Sequence, residues 1–136
     1  MPEEKIQKVG EIARVVQFFK LPRTGDIPVG FYGELLASRD GKHLWGREHS
    51  SWYQISLYKT ITNKYIVAIG YRGKEEYENH DDVLEASDLE DVVMQLREYD
   101  KDHALLITFR PLISRLADDL GLVEVIDLPS TKEGRE

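Results

Sequence analysis

Two runs rich in β-branched and aromatic residues, Trp52 to Ile61 and Tyr65 to Arg72, stand on either side of Thr62-Asn63-Lys64. Their composition predicts adjacent antiparallel strands, with Asn63 suited to the positive φ of the connection. Side chains alternate across a strand, so Ile55 and Leu57 are expected to share a face with Ile66 and Ala68. The opposite face then gathers Trp52, Gln54, Ser56, Tyr58, Tyr65, Val67, Ile69 and Tyr71. One face reads as plain core, the other as aromatic with polar interleaving.

Other elements gather around this hairpin. Ile6, Val9, Ala13 and Val16 recur at spacings of three and four, which fits an amphipathic helix over Glu4 to Phe19. Val15-Val16 and Phe18-Phe19 equally fit the start of a strand. Leu21 to Pro28 reads as a loop by its proline and glycine content. Phe31 to Ser38 reads as a strand closed by Arg39-Asp40-Gly41-Lys42, and His43 to Glu48 as a second short strand. Asp82 to Ala86 is expected to add a further strand.

Ser87-Asp88-Leu89-Glu90 has the form of a capping box, and Leu89, Val92, Val93 and Leu96 follow at helical spacing. A helix from Asp88 to Tyr99 is therefore expected. Ala104 to Phe109 suits a buried strand. Pro111 suits the first position of a helix whose apolar face is Leu112, Ile113, Leu116 and Leu120, with Gly121 as its cap. Leu122 to Leu128 reads as a last strand. The expected architecture is one α+β domain over residues 1–128, an antiparallel meander covered by helices, with 129–136 as a flexible tail.

A length of 136 residues allows one substantial core, and 41% hydrophobic with 32% charged residues places the chain among globular proteins. The absence of cysteine removes disulfides, thiolate zinc sites, iron–sulfur clusters and cysteine nucleophiles. Met1-Pro2-Glu3-Glu4 lacks an apolar signal core and no run reaches membrane-spanning length, so a cytoplasmic protein with no membrane partner is the expectation.

The charge is concentrated. Residues 75–102 carry twelve acids and two bases, a local charge of −10 in a chain of net −7. The remainder, with sixteen bases and thirteen acids, is at +3. Such a field attracts cations and basic partners and repels nucleic acid. On the expected helix, Asp88, Asp91, Gln95, Glu98 and Asp102 form one stripe opposite the apolar face. Glu98, Asp100 and Asp102 also crowd its C-terminus, where the dipole disfavours negative charge by about 0.3–1 kcal/mol each. Neutralising those three is therefore expected to stabilise the ion-free protein. Hard cations suit clustered carboxylate oxygens. The candidate metal ligands are Glu75, Glu76, Glu78, Asp81, Asp82, Asp88, Asp91, Glu98, Asp100 and Asp102. The bland alternative is a solvated helix face.

No EF-hand is present: in a loop begun at Asp100, Leu105 stands at the glycine position and Leu112 at the glutamate position. His43, His49, His80 and His103 show no metal-ligand spacing, so surface or turn histidines are expected. The chain lacks G-x-S-x-G, H-E-x-x-H, a phosphate-cradling glycine loop and a dinucleotide fingerprint, and an enzyme is not expected. The aromatic face with Lys59, Lys64, Arg72 and Lys74 has the ingredients of a single-strand stacking platform. Coverage by helices and the acidic balance argue against nucleic acid.

Trp52-Tyr53-Gln54-Ile55-Ser56-Leu57-Tyr58-Lys59-Thr60, followed by Lys64-Tyr65-Ile66-Val67 and Gly70, resembles a pattern in the cyanobacterial calcium-binding protein family. The resemblance spans roughly Gly30 to Leu96. It implies a small acidic protein that holds calcium through surface charge without an EF-hand. The matching positions are strand positions, so no ligand is carried over. Two functions are expected from the one acidic feature: a calcium-binding protein, or an adaptor or inhibitor that docks a basic protein partner.

Overall fold

The computed structural model describes residues 6–9, 12–103, 109–123 and 126, with side chains described over 16–100, 109–123 and 126. The elements are β1 (Ile6–Val9), β2 (Ile12–Val15), β3 (Gln17–Arg23), β4 (Asp26–Asp40), β5 (Trp52–Thr60), β6 (Tyr65–Arg72), β7 (His80–Ala86), α1 (Leu89–His103) and α2 (Phe109–Leu120). This is an α+β fold.

Strands β3 to β7 form one antiparallel meander in sequence order, while β1 and β2 pair separately. The meander curls until its two edges meet. Thr24 at the β3–β4 turn donates its N–H to the Asp81 carbonyl at 2.9 Å, and the Asp81 N–H donates back to Thr24 Oγ1 at 2.8 Å. Curling divides the core in two. Phe19, Leu21, Phe31, Tyr58, Ile66, Ala68 and Val83 pack together on the inner face. Ile55, Leu57, Val67 and Ile69 on the outer face receive Val92, Leu96 and Tyr99 of α1 and Phe109, Leu112 and Leu116 of α2. Val92 and Leu96, each 1% exposed, contribute about 1.5–3 kcal/mol apiece by burial.

The hairpin forms as expected, but its faces are exchanged. Four residues, Ile61 to Lys64, connect the strands, and the register pairs Ile55 with Ile69 and Leu57 with Val67. Ile66 and Ala68 therefore lie with Tyr58 and Ser56 on the inner face. The register opposes Lys59 to Tyr65, so odd-numbered residues of β5 share a face with odd-numbered residues of β6, and the expected grouping with Ile66 and Ala68 is off by one position. Asn63 does adopt a positive φ, of 67°.

The N-terminal helix is not observed: Ile6–Val9 and Ile12–Val15 form a hairpin with Ile6 opposite Val15 and Val9 opposite Ile12. Four β-branched residues are paired across the two strands, and such residues favour strands. Leu21 to Pro28 is no loop but the closed end of β3 and β4, turning at Thr24 and Gly25, whose φ is 82°. The prolines are tolerated because the register shifts between Leu21 and Arg23, which spares their missing N–H groups. His43 to Glu48 contains a 3-10 turn at Leu44–Gly46 in place of a strand.

Helix α1 starts one residue later than expected and runs to His103, since nothing between Tyr99 and His103 breaks it. Pro111 is the third residue of α2 and not its first, still within the first turn, where the missing backbone N–H leaves no intrahelical bond unmade. Gly121, at φ 68°, closes that helix: Leu122 N–H reaches the Ala117 carbonyl at 2.9 Å and Gly121 N–H that of Asp118 at 3.1 Å. Leu122, Val123 and Ile126 lie in no strand. The other residues of the expected last strand, residues 104–108 of the expected buried strand and the tail 129–136 lie outside the described residues, while Phe109, expected to end that buried strand, opens α2. Among the described residues no helix is long and apolar enough to cross a membrane.

Candidate functional site

The acidic segment runs from the β6–β7 connection along β7 and over α1. In the connection, Glu76–Glu78 form a 3-10 turn. Glu78 N–H donates to the Glu75 carbonyl at 2.9 Å, and Glu75 N–H donates to Glu78 Oε1 at 3.2 Å. Asn79 N–H reaches the Glu76 carbonyl at 3.0 Å, while Asn79 Oδ1 accepts from Gly73 N–H at 3.0 Å. Glu78 folds over Gly73, where a Cβ would stand 2.3 Å from Oε1. These bonds hold the turn without neutralising it. Glu75, Glu76 and Glu78 are exposed, and Tyr77 between them is 84% exposed.

On β7 the carboxylates are engaged one at a time. Arg72 Nη2 donates to Asp81 Oδ1 at 2.8 Å, a pair with about a quarter of each side chain exposed. Tyr99 O–H donates to Asp82 Oδ2 at 2.5 Å, and His80 Nε2 lies 3.2 Å from the same oxygen. Burial, then Asp82, push the Tyr99 phenol above its ordinary range. Glu85 meets Lys64 at 3.2 Å on the surface.

At the start of α1 the cap lies one residue beyond the expected one. Asp88 Oδ1 accepts from Asp91 N–H at 2.8 Å, and Asp91 Oδ2 accepts from Ser87 N–H at 3.0 Å. Asp88 and Asp91 thus take the roles expected of Ser87 and Glu90. The Ser87 amide, followed by the Gln95 and Ser87 side chains, holds the Asp91 carboxyl below its ordinary range. Gln95 also donates to the Glu85 carbonyl at 2.7 Å, which closes part of the free edge of β7.

At the far end of α1, Arg110 Nε donates to Asp100 Oδ2 at 2.8 Å, linking the two helices. Asp100 is 11% exposed, so this carboxylate faces its partner and not solvent. Glu98 is exposed. Asp102 lies on α1 with its side chain outside the described residues.

Each candidate ligand whose side chain is described thus has a place, but these places do not converge. Among the described residues, no group of three or more histidines or carboxylates could hold a metal ion. Asp81, Asp82, Asp88, Asp91 and Asp100 already accept hydrogen bonds from Arg72, Tyr99, backbone amides and Arg110. The glutamates Glu75, Glu76, Glu78, Glu90 and Glu98 are exposed along the turn and helix.

Sequence reasoning missed the partners, which arrive from other elements. Asp88-x-x-Asp91 was the local signal for the cap, since aspartate is as good an N-cap as serine. Trp45 was missed as well. It adopts φ 60° and ψ 29° and is 53% exposed, while its neighbour Leu44 is 1% exposed in the core. His49 Nε2 lies 2.9 Å from the Leu44 carbonyl, and the His49 ring stands edge-on to the indole. Trp45-Gly46 was the readable hint of a left-handed turn.

No protein-family model, curated protein or solved structure matches this chain.

Proposed function

We propose that the acidic segment is a docking surface for a basic protein partner, which makes the protein an adaptor or inhibitor module. The dispersal of its carboxylates is what supports this. Single carboxylates bound to backbone amides and arginines fix the turn, β7 and α1 as a rigid platform. The exposed Glu76, Glu90 and Glu98, with Glu75 and Glu78, spread negative charge over it. A distributed field steers an extended basic surface better than it chelates one ion. Calorimetric titration with a lysine-rich peptide at low and physiological salt tests the reading. Binding should weaken with salt, and joint Glu76→Gln, Glu90→Gln and Glu98→Gln substitution should weaken it at low salt and flatten the salt dependence. Equal binding by parent and variant would count against it.

Calcium binding is the second reading. The likeness of the Trp52–Thr60 and Lys64–Val67 strands to the cyanobacterial calcium-binding protein family favours it, together with the −10 charge of residues 75–102. A surface site of few ligands would be weak, with a Kd on the order of 10⁻⁴ to 10⁻³ M. Amide shifts at millimolar calcium, absent with magnesium at matched ionic strength, would support it. No calcium-dependent shift would end it.

A further inference from the structure

The register of the sheet brings two loops of opposite charge side by side. Strand β5 begins at Trp52, whose partner is Arg72 at the end of β6. The β4–β5 connection (Gly41–Ser51) and the β6–β7 connection (Gly73–Asn79) therefore leave the sheet at the same end, on neighbouring strands. The first carries Lys42 and Arg47 with His43 and His49, against Glu48 alone. The second carries Glu75, Glu76 and Glu78 against Lys74.

The basic loop is also built to display an aromatic side chain. Leu44 anchors it in the core, and its backbone is closed by His49 N–H to the Lys42 carbonyl at 2.8 Å and Leu44 N–H to the Gly41 carbonyl at 3.2 Å. Between these ties Trp45 is held in the left-handed region, at φ 60°, a conformation that disfavours a bulky residue. The indole left 53% exposed gives the fold little in return. A strained, exposed tryptophan on a fixed loop has the character of an interface anchor.

We infer that this end of the sheet binds a second copy of the chain. Around a two-fold axis, each basic loop with its Trp45 would meet the partner's acidic turn with its Tyr77. The patch is self-complementary because both charges lie on it, and an isologous contact closes at two subunits. The inference rests on the proposed reading in one respect: the acidic turn accepts a basic element, here supplied by the same protein.

Sedimentation velocity of the full chain at low and physiological salt tests it. Dimers should form at low salt and weaken as salt rises. Trp45→Gly, which suits the positive φ, should be monomeric yet melt no lower than the parent. Glu76→Lys and Arg47→Glu should each break the dimer, and the double substitution should restore it. A parent that stays monomeric at low salt, a Trp45→Gly protein that dimerises as well as the parent, or a double variant that stays broken would overturn the inference. If the parent is monomeric but binds a lysine-rich peptide, the dimer is excluded while the acidic docking surface stands. If dimers form and the peptide is ignored, the dimer stands and docking of other basic partners falls.

Discussion

Tyr99 and Asp82 join α1 to β7 through a hydrogen bond of 2.5 Å between the phenol and Oδ2. Tyr99 is 8% exposed and its ring packs on Phe109, so the polar contact sits at the edge of the main core. One acid of the charged segment thereby serves as a structural acceptor. The charge that distinguishes this chain is partly built into its scaffold.

Replacing Tyr99 by Phe keeps the ring and removes the bond. Hydrogen bonds to charged groups contribute about 1.5–3 kcal/mol, and Asp82 retains solvent and His80, so the lower part of that range is expected in urea unfolding. The phenol pKa is raised in the fold above its ordinary 10.0, so its contribution is complete below that pH and is lost as pH rises through the folded value. Tyr53 and Tyr58 are raised as well, chiefly by burial. Stability should therefore fall in strong alkali, and the gap between parent and Tyr99→Phe should narrow there. A gap independent of pH would contradict the assignment.

Acid should act on a different pair. Arg39 donates from Nε and Nη2 to Asp119 at 2.7 Å each, tying β4 to α2, and these bonds hold the Asp119 carboxyl below its ordinary 3.8. Asp91 is depressed likewise by Ser87. A depressed carboxyl contributes stability above its unfolded pKa and loses it as pH falls through the folded one. The difference in melting temperature between parent and Asp119→Asn should thus be present at neutral pH and close in acid below that value. A difference that widens in acid would be the wrong sign.

Two glycines of β4 should respond differently to alanine. At Gly33 a Cβ would lie 2.2 Å from the Lys59 carbonyl oxygen, so β4 and β5 would have to part. At Gly30 it would meet the Phe18 ring at 2.7 Å, and Phe18 is 55% exposed and able to swing away. Gly33→Ala should cost about 1–3 kcal/mol or more, and Gly30→Ala clearly less, by the same urea assay. Equal costs would mean that the strands do not approach as described.

Local patterns were legible in the sequence where the answer is local. The β5–β6 hairpin, Asn63, α1 and α2 with the Gly121 cap each follow from a few consecutive residues. What failed depended on partners. Ile6, Val9, Ala13 and Val16 carry a helical spacing, and only the pairing of Ile6 with Val15 and of Val9 with Ile12 decides for a hairpin. Pro22 and Pro28 look like loop residues until a register shift gives them room. The acidic density was visible, but Arg72, Tyr99 and Arg110 reach their carboxylates from other elements, which no spacing reveals. The expectation that neutralising Glu98, Asp100 and Asp102 together stabilises the ion-free protein therefore needs revision, because Asp100 is bonded to Arg110 at 2.8 Å. Of the two whose side chains are described, Glu98 retains the character of an unfavourable exposed charge.

The most direct test of the acidic surface as a docking platform is an amide NMR titration of the parent with a lysine-rich peptide, with monovalent salt at equal ionic strength as the control. The account predicts peptide-specific shifts along the 75–79 turn and the exposed side of α1 around Glu90 and Glu98, with the inner-face strands unmoved. Shifts reproduced by salt alone, or confined to residues away from this segment, would contradict it.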